Sequence, residues 1–130
     1  MRTQAQQAGD HAEELVSEYL ATAGWTILGL RVRVGRGDLD VIAVDPRQPT
    51  LVIVEVRWRS RRDFGLAEET VDRRKRTHLR TALARLRGEG RLPDGSPLPH
   101  LPVRIDVVAV EPGQVTGDPV RIRHHRGIAI

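Results

Sequence analysis

The 130 residues are enough to bury one core and too few for two, so a single domain spanning 1–130 is expected. Charged residues make up 29% and hydrophobic residues 39%, a composition that folds rather than one that stays disordered. The net charge of +4 favours a polyanionic partner, while the absence of cysteine excludes disulfides, thiolate zinc sites and a cysteine nucleophile.

The N-terminal stretch Met1 to Gln7 lacks the apolar centre of a signal peptide, and no apolar run approaches the ~20 residues that span a bilayer. No membrane association and a cytoplasmic location are therefore expected. From about Ala8 to Ala23, Ala12, Leu15, Val16, Tyr19, Leu20 and Ala23 recur at spacings of three and four, predicting an amphipathic helix that stops at Gly24. Trp25 to Val34 reads as a first strand, closed by the turn-prone Gly35-Arg36-Gly37. Asp38 to Val44 and Leu51 to Arg57 read as two strands joined by a proline-bearing loop, apolar on both faces and so buried within a covered sheet. A second helix is expected from about Ala67 to Arg87, an exposed loop over 88–102, a strand from Val103 to Val110 and a short edge strand from Val120 to Arg123.

If the hairpin is symmetric about Arg47-Gln48, Asp40 lies across from Glu55 and Asp38 across from Arg57, all on one face. Cross-strand Cβ atoms stand roughly 4.5–5.5 Å apart, so two carboxylates would meet at the end of an apolar strand pair. Such a pair is costly unless a cation lies between them, and a hard divalent ion takes carboxylate oxygens readily. Two alternatives stay open on the residues alone. Asp40 and Glu55 could be neutralised by arginines such as Arg33 and Arg57, or Pro46 and Pro49 could shift the register and turn one carboxylate away.

The segments Gly37-Asp38-Leu39-Asp40-Val41-Ile42-Ala43 and Val52-Ile53-Val54-Glu55-Val56-Arg57-Trp58-Arg59 resemble the PD-(D/E)XK nuclease superfamily. Nearly end to end, the chain looks like the bacterial family UPF0102 (YraN-like), related in fold to archaeal Holliday junction resolvases. That likeness also takes in Glu13-Glu14-Leu15, Tyr19-Leu20, Gly24, Phe64-Gly65, Lys75 and Arg104-Ile105-Asp106-Val107. The resemblance implies an α/β, restriction-endonuclease-like core with a mixed central sheet flanked by helices. It further implies Mg²⁺ or Mn²⁺ held by Asp40, Glu55 and the main-chain carbonyl of Val56, and hydrolysis of DNA, branched DNA included. Glu13 is the candidate third ligand, since related nucleases place a glutamate on this helix, against the reading of an ordinary helix-flank carboxylate. Arg57 stands where the motif has lysine; arginine keeps the charge and the phosphate-binding fork but cannot lose a proton. A non-catalytic nucleic-acid-binding module that keeps the fold is the alternative function, and a protein-interaction role without nucleic acid a third.

Among 21 basic residues Lys75 is the only lysine. It shares a helical stripe with Val71, His78, Leu79, Ala82 and Leu86, so it either reaches the carboxylate end of the hairpin as a relocated catalytic lysine or snorkels along the sheet edge. His78 is expected to be a packed or hydrogen-bonded core histidine, and Asp106 a structural residue paired to an arginine. Arg57, Arg59, Arg61 and Arg62 form a positive patch for phosphates, with Trp58 among them for stacking on a base. DNA is a better fit than RNA. A homodimer would present two sites to the two strands of a branched substrate, but the sequence does not demand one.

Overall fold

A computed structural model describes residues 2–58, 72–111, 113, 115 and 117–130. The elements are α1 (Gln4–Thr22), β1 (Thr26–Val34), β2 (Gly37–Asp45), β3 (Thr50–Trp58), α2 (Arg73–Glu89), β4 (Val103–Glu111) and β5 (Arg121–His125). They make an α/β domain whose single sheet has the order β1-β2-β3-β4-β5. Neighbours are antiparallel except β3 and β4, which run parallel and are joined through α2. This is the expected mixed sheet flanked by helices. Among the described residues no helix is long and apolar enough to cross a membrane.

Helix α1 begins four residues earlier than its apolar pattern, because Thr3 caps it. The Thr3 hydroxyl accepts from the Gln6 amide at 3.1 Å, and the Gln6 side chain accepts from the Thr3 amide at 2.8 Å, so two otherwise unpaired helix donors are satisfied. At the other end Gly24, with φ of 92°, turns the chain so that the Trp25 amide reaches the Leu20 carbonyl at 3.0 Å. Helix α2 begins at Arg73 because Asp72 is extended (ψ 178°) and its carboxylate accepts from the Lys75 amide at 2.9 Å. Of the span expected to be helical from Ala67, residues 67–71 lie outside the described residues.

The two helices cover opposite faces of the sheet. Ala12, Val16 and Leu20 of α1 pack on Val41, Ala43, Val52, Val54, Val108 and Val110. Leu79, Ala82 and Leu86 of α2 pack on Leu39, Ile42, Leu51, Ile53, Ile105 and Val107. Two covered faces explain why β2 and β3 read as continuous apolar runs instead of alternating ones. The exposed loop expected over 88–102 needs correction. Its first residues extend α2 to Glu89, and Leu92 and Leu98 are buried in the α2-side core, where the Leu98 amide donates to the Gly90 carbonyl at 3.0 Å.

Asp106 is the structural residue expected, and more strongly tied than an arginine pair alone. Its carboxylate accepts from Arg104 at 2.8 and 3.0 Å, meets His124 Nε2 at 2.8 Å and accepts from the Gly127 amide at 3.0 Å. These bonds hold its carboxyl below the usual range against a burial effect that pushes it up. Arg104 also donates to Asp45 at 3.0 Å, and Tyr19 meets the other His124 ring nitrogen at 3.0 Å, linking β2, β4, β5 and α1. Asp106→Ala would leave Arg104 and His124 without their buried anion. A loss of about 3–5 kcal/mol is expected in urea unfolding of the variant against wild type at neutral pH.

A candidate metal centre at the open end of the hairpin

Strands β2 and β3 pair in the symmetric register expected, from Asp45 with Thr50 to Val41 with Val54. The ladder ends there, one step short of Asp40 and Glu55. At that step a side chain replaces the strand bond: the Val56 amide donates to Asp40 Oδ2 at 2.9 Å. On the other side of β2, Leu30 pairs with Val41 and Val32 with Leu39, yet Leu30 and Val41 face α1 whereas Val32 and Leu39 face α2. Both strands therefore switch faces between these pairs, at Arg31 and Asp40. Arg31 carries the strain of the switch, with φ of 49° in a non-glycine residue. The break turns Asp40 out of regular alternation. It also changes the fate of Asp38, which pairs with Arg33 on β1 and lies 3.6 Å from its guanidinium, half exposed, instead of opposite Arg57.

The carboxylates of Asp40 and Glu55 share one electrostatic environment. Glu55 is buried, its side chain only 4% exposed, and burial together with the Asp40 charge pushes its carboxyl up to about 7. Burial likewise raises Asp40, opposed by the Val56 amide and the charge of Lys75. One Glu55 oxygen, Oε1, is flanked by Lys75 Nζ at 3.3 Å and an Arg57 terminal nitrogen at 3.4 Å. The other, Oε2, is buried with no hydrogen-bond partner among the described residues. Once ionised, a buried oxygen without a donor costs free energy that a cation would recover. The donor set, carboxylate oxygens with no sulfur, suits a hard divalent cation such as Mg²⁺ or Mn²⁺.

Of the residues expected at this site, Asp40, Glu55, Arg57 and Lys75 come together. Lys75 thus reaches the hairpin end instead of snorkelling away. Val56 was expected to contribute its carbonyl; the contact it makes is through its amide, which holds Asp40. Glu13 is raised by burial and by the Asp40 charge, but its Oε2 is tied to Arg31 at 3.1 Å. Among the described residues no three His, Asp or Glu side chains gather as a complete metal shell. Trp58 is 39% exposed, its ring centroid 6.3 Å from that of His11. Arg59, Arg61 and Arg62, and the Phe64-Gly65 pair, lie outside the described residues. His78 departs from expectation: it is exposed, with its ring against Gly37. Arg31 was missed, because Leu30-Arg31-Val32-Arg33 reads as an unbroken strand and nothing in it signals a left-handed residue.

A small α/β domain with a carboxylate pair at the end of a central hairpin is thus the class that fold and site define. The chain belongs to UPF0102, described as an uncharacterised protein family, whose model matches residues 12–110. Relatives named UPF0102 proteins include one from Frankia alni, 39% identical over 121 residues and covering 92% of this chain and 91% of its own. Others are from Saccharophagus degradans (37% over 109 residues; 84% and 86%) and Dehalococcoides mccartyi (33% over 108 residues; 83% of each). Among solved structures, Pyrococcus furiosus SfsA in complex with Ca²⁺ aligns with 97% of this chain and 65% of its own, at 15% identity and a TM-score of 0.43.

The site has a pH signature in metal-free buffer. Glu55 holds its proton to about pH 7 when folded and releases it near 4.5 when unfolded, so stability from this group falls as pH rises through that window. Glu55→Gln removes the titration. The stability of the variant relative to wild type should therefore climb between about pH 4.5 and 7 in EDTA, by up to the order of 3 kcal/mol. Parallel wild-type and variant curves in denaturant titrations would contradict the raised Glu55 carboxyl.

Proposed function

We propose that the chain is a metal-dependent phosphodiesterase acting on DNA, with branched DNA within its substrate range. The observation that carries this reading is the pairing of half-buried Asp40 with buried Glu55, whose Oε2 has no donor among the described residues and whose Oε1 lies between Lys75 and Arg57. Asp40 and Glu55, with the Val56 carbonyl, would hold Mg²⁺ or Mn²⁺, and Glu13 would complete the shell on release from Arg31. The bound ion would supply an acidified water and positive charge against the phosphate. Lys75 and Arg57 would neutralise the charge that develops on the phosphoryl oxygens. Arg57 acts only electrostatically, since a guanidinium does not give up its proton. A lysine from a neighbouring helix, 3.3 Å from Glu55, would stand in for the motif lysine that Arg57 replaces. Arg57 adjoins the site and would pair with phosphate, while Trp58, exposed at the end of β3 beside His11, would stack on a base.

The second reading, a nucleic-acid-binding module without catalysis, is favoured by one observation, the arginine at position 57. Cleavage separates the two. A labelled panel of duplex, single-stranded, flap and four-way junction DNA with Mn²⁺, Mg²⁺ or EDTA should be cut only with metal, and not by Asp40→Asn or Glu55→Gln. Absence of cutting by wild type under every metal, with binding intact in EDTA, would establish the binding module instead. Lys75→Gln should lower kcat by about 10²–10³, the usual loss for one transition-state donor, with DNA affinity changed far less. Unchanged turnover in that variant would remove Lys75 from the chemistry.

A further inference from the structure

A second feature lies beside the carboxylates and has no role in holding them. Between the β1–β2 turn and the outer side of α2 runs an open groove of about 840 Å³. Arg36 from the turn and Arg73, Arg74 and Arg85 from the helix line it, together with His78 and Thr77. Among the described residues none of its lining is acidic. The acids at its margins are already engaged: Asp38 with Arg33 at 3.6 Å and Glu89 with Arg85 Nε at 3.4 Å.

Two glycines shape the wall. At Gly37 a Cβ would meet the imidazole Nε2 of His78, so the exposed ring lies flush against the strand where the residue has no side chain. At Gly35, with φ of 63°, a Cβ would stand 3.3 Å from a terminal nitrogen of Arg85. The turn thus passes close under the Arg85 guanidinium in a left-handed conformation that a glycine adopts without strain.

We propose that this groove carries the sugar–phosphate backbone of the nucleic acid and leads it to the Asp40–Glu55 pair. The inference rests on the nucleic-acid reading above and adds the path of the strand. Arg74 and Lys75 are consecutive, and Gly37 precedes Asp40 by three strand residues, so one end of the groove lies about 10 Å along β2 from the carboxylates. From Arg74 to Arg85 the helix rises about 16 Å, the axial length of roughly five phosphates on one strand of a duplex. Guanidinium forks and threonine hydroxyls are donors that grip phosphate oxygens without reading bases, so the contacts would be indifferent to sequence.

The test is DNA binding in EDTA by fluorescence anisotropy, across about 50–200 mM salt, for wild type, Arg36→Gln/Arg74→Gln and Arg85→Gln. Arg47→Gln, in the turn at the opposite end of β2, is the control. Loss of two phosphate contacts should reduce the slope of log affinity on log salt by about two in the double variant and by about one in Arg85→Gln, equally for unrelated sequences. Arg47→Gln should match wild type. Circular dichroism melts confirm that each variant is folded. Groove variants that bind with the wild-type slope, or a poly-glutamate chain that competes as well as DNA, would overturn the proposal. Cleavage assays on the same proteins separate its failure from that of the nuclease reading. Wild type that cuts while groove variants bind normally would sink the groove alone. Groove-dependent binding without cutting would sink catalysis alone. A wild-type protein that binds no nucleic acid would sink both.

Discussion

A buried carboxylate held beside a half-buried one, Glu55 beside Asp40, is the constraint around which this fold is organised. Asp40 and Glu55 close an apolar hairpin at the point where the strand ladder stops, and the Val56 amide takes the place of the next ladder bond by donating to Asp40. The cost of that pairing appears in Glu55, whose carboxyl is pushed up to about 7. Lys75 and Arg57 offset only part of it, and from one side, since both approach the same oxygen. The rest of the domain supplies the burial that makes the pair expensive. Helix α1 seals one face of the sheet, α2 seals the other, and the Asp106 network locks the strands beyond β3. The proposed cation would relieve that cost, provided a proton leaves as it arrives.

Much of this architecture was legible in the chain. Val, Ile and Ala on both faces of β2 and β3 announced a doubly covered sheet, and the symmetric spacing around Arg47-Gln48 gave the observed hairpin register despite two prolines in the turn. The apolar stripe of α2 correctly aimed Lys75 at the sheet. Helix ends were harder. Thr3 and Gln6 form a capping box that is visible in the sequence, but it lies outside the apolar periodicity that set the expected start of α1. Leu92 and Leu98 sit in a stretch whose glycines and prolines read as solvent-exposed, and only the tertiary fold shows that both leucines turn into the core.

The site itself was legible in its composition and not in its geometry. Spacing alone brought Asp40 and Glu55 together, whereas the switch of faces at Arg31 depends on a backbone conformation that arginine rarely adopts and that no local pattern announces. That switch removes Asp38 from the group and ties Arg31 to Glu13. The groove beside the site was equally hidden. In a chain where 20 of 21 basic residues are arginine, Arg36, Arg73, Arg74 and Arg85 carry no distinguishing mark until the β1–β2 turn is laid against α2.

The central claim, that Asp40 and Glu55 form a divalent-cation site whose cation displaces the Glu55 proton, is tested most directly by calorimetric titration of Mn²⁺ into the metal-free protein. Buffers of different ionisation enthalpy, compared between about pH 6 and 8.5, report the protons released per ion bound. The account predicts binding to wild type with close to one proton released at the acid end, falling towards zero at the alkaline end, and no such binding to Glu55→Gln. Absence of binding, or binding to both proteins with no pH-dependent proton release, would contradict it.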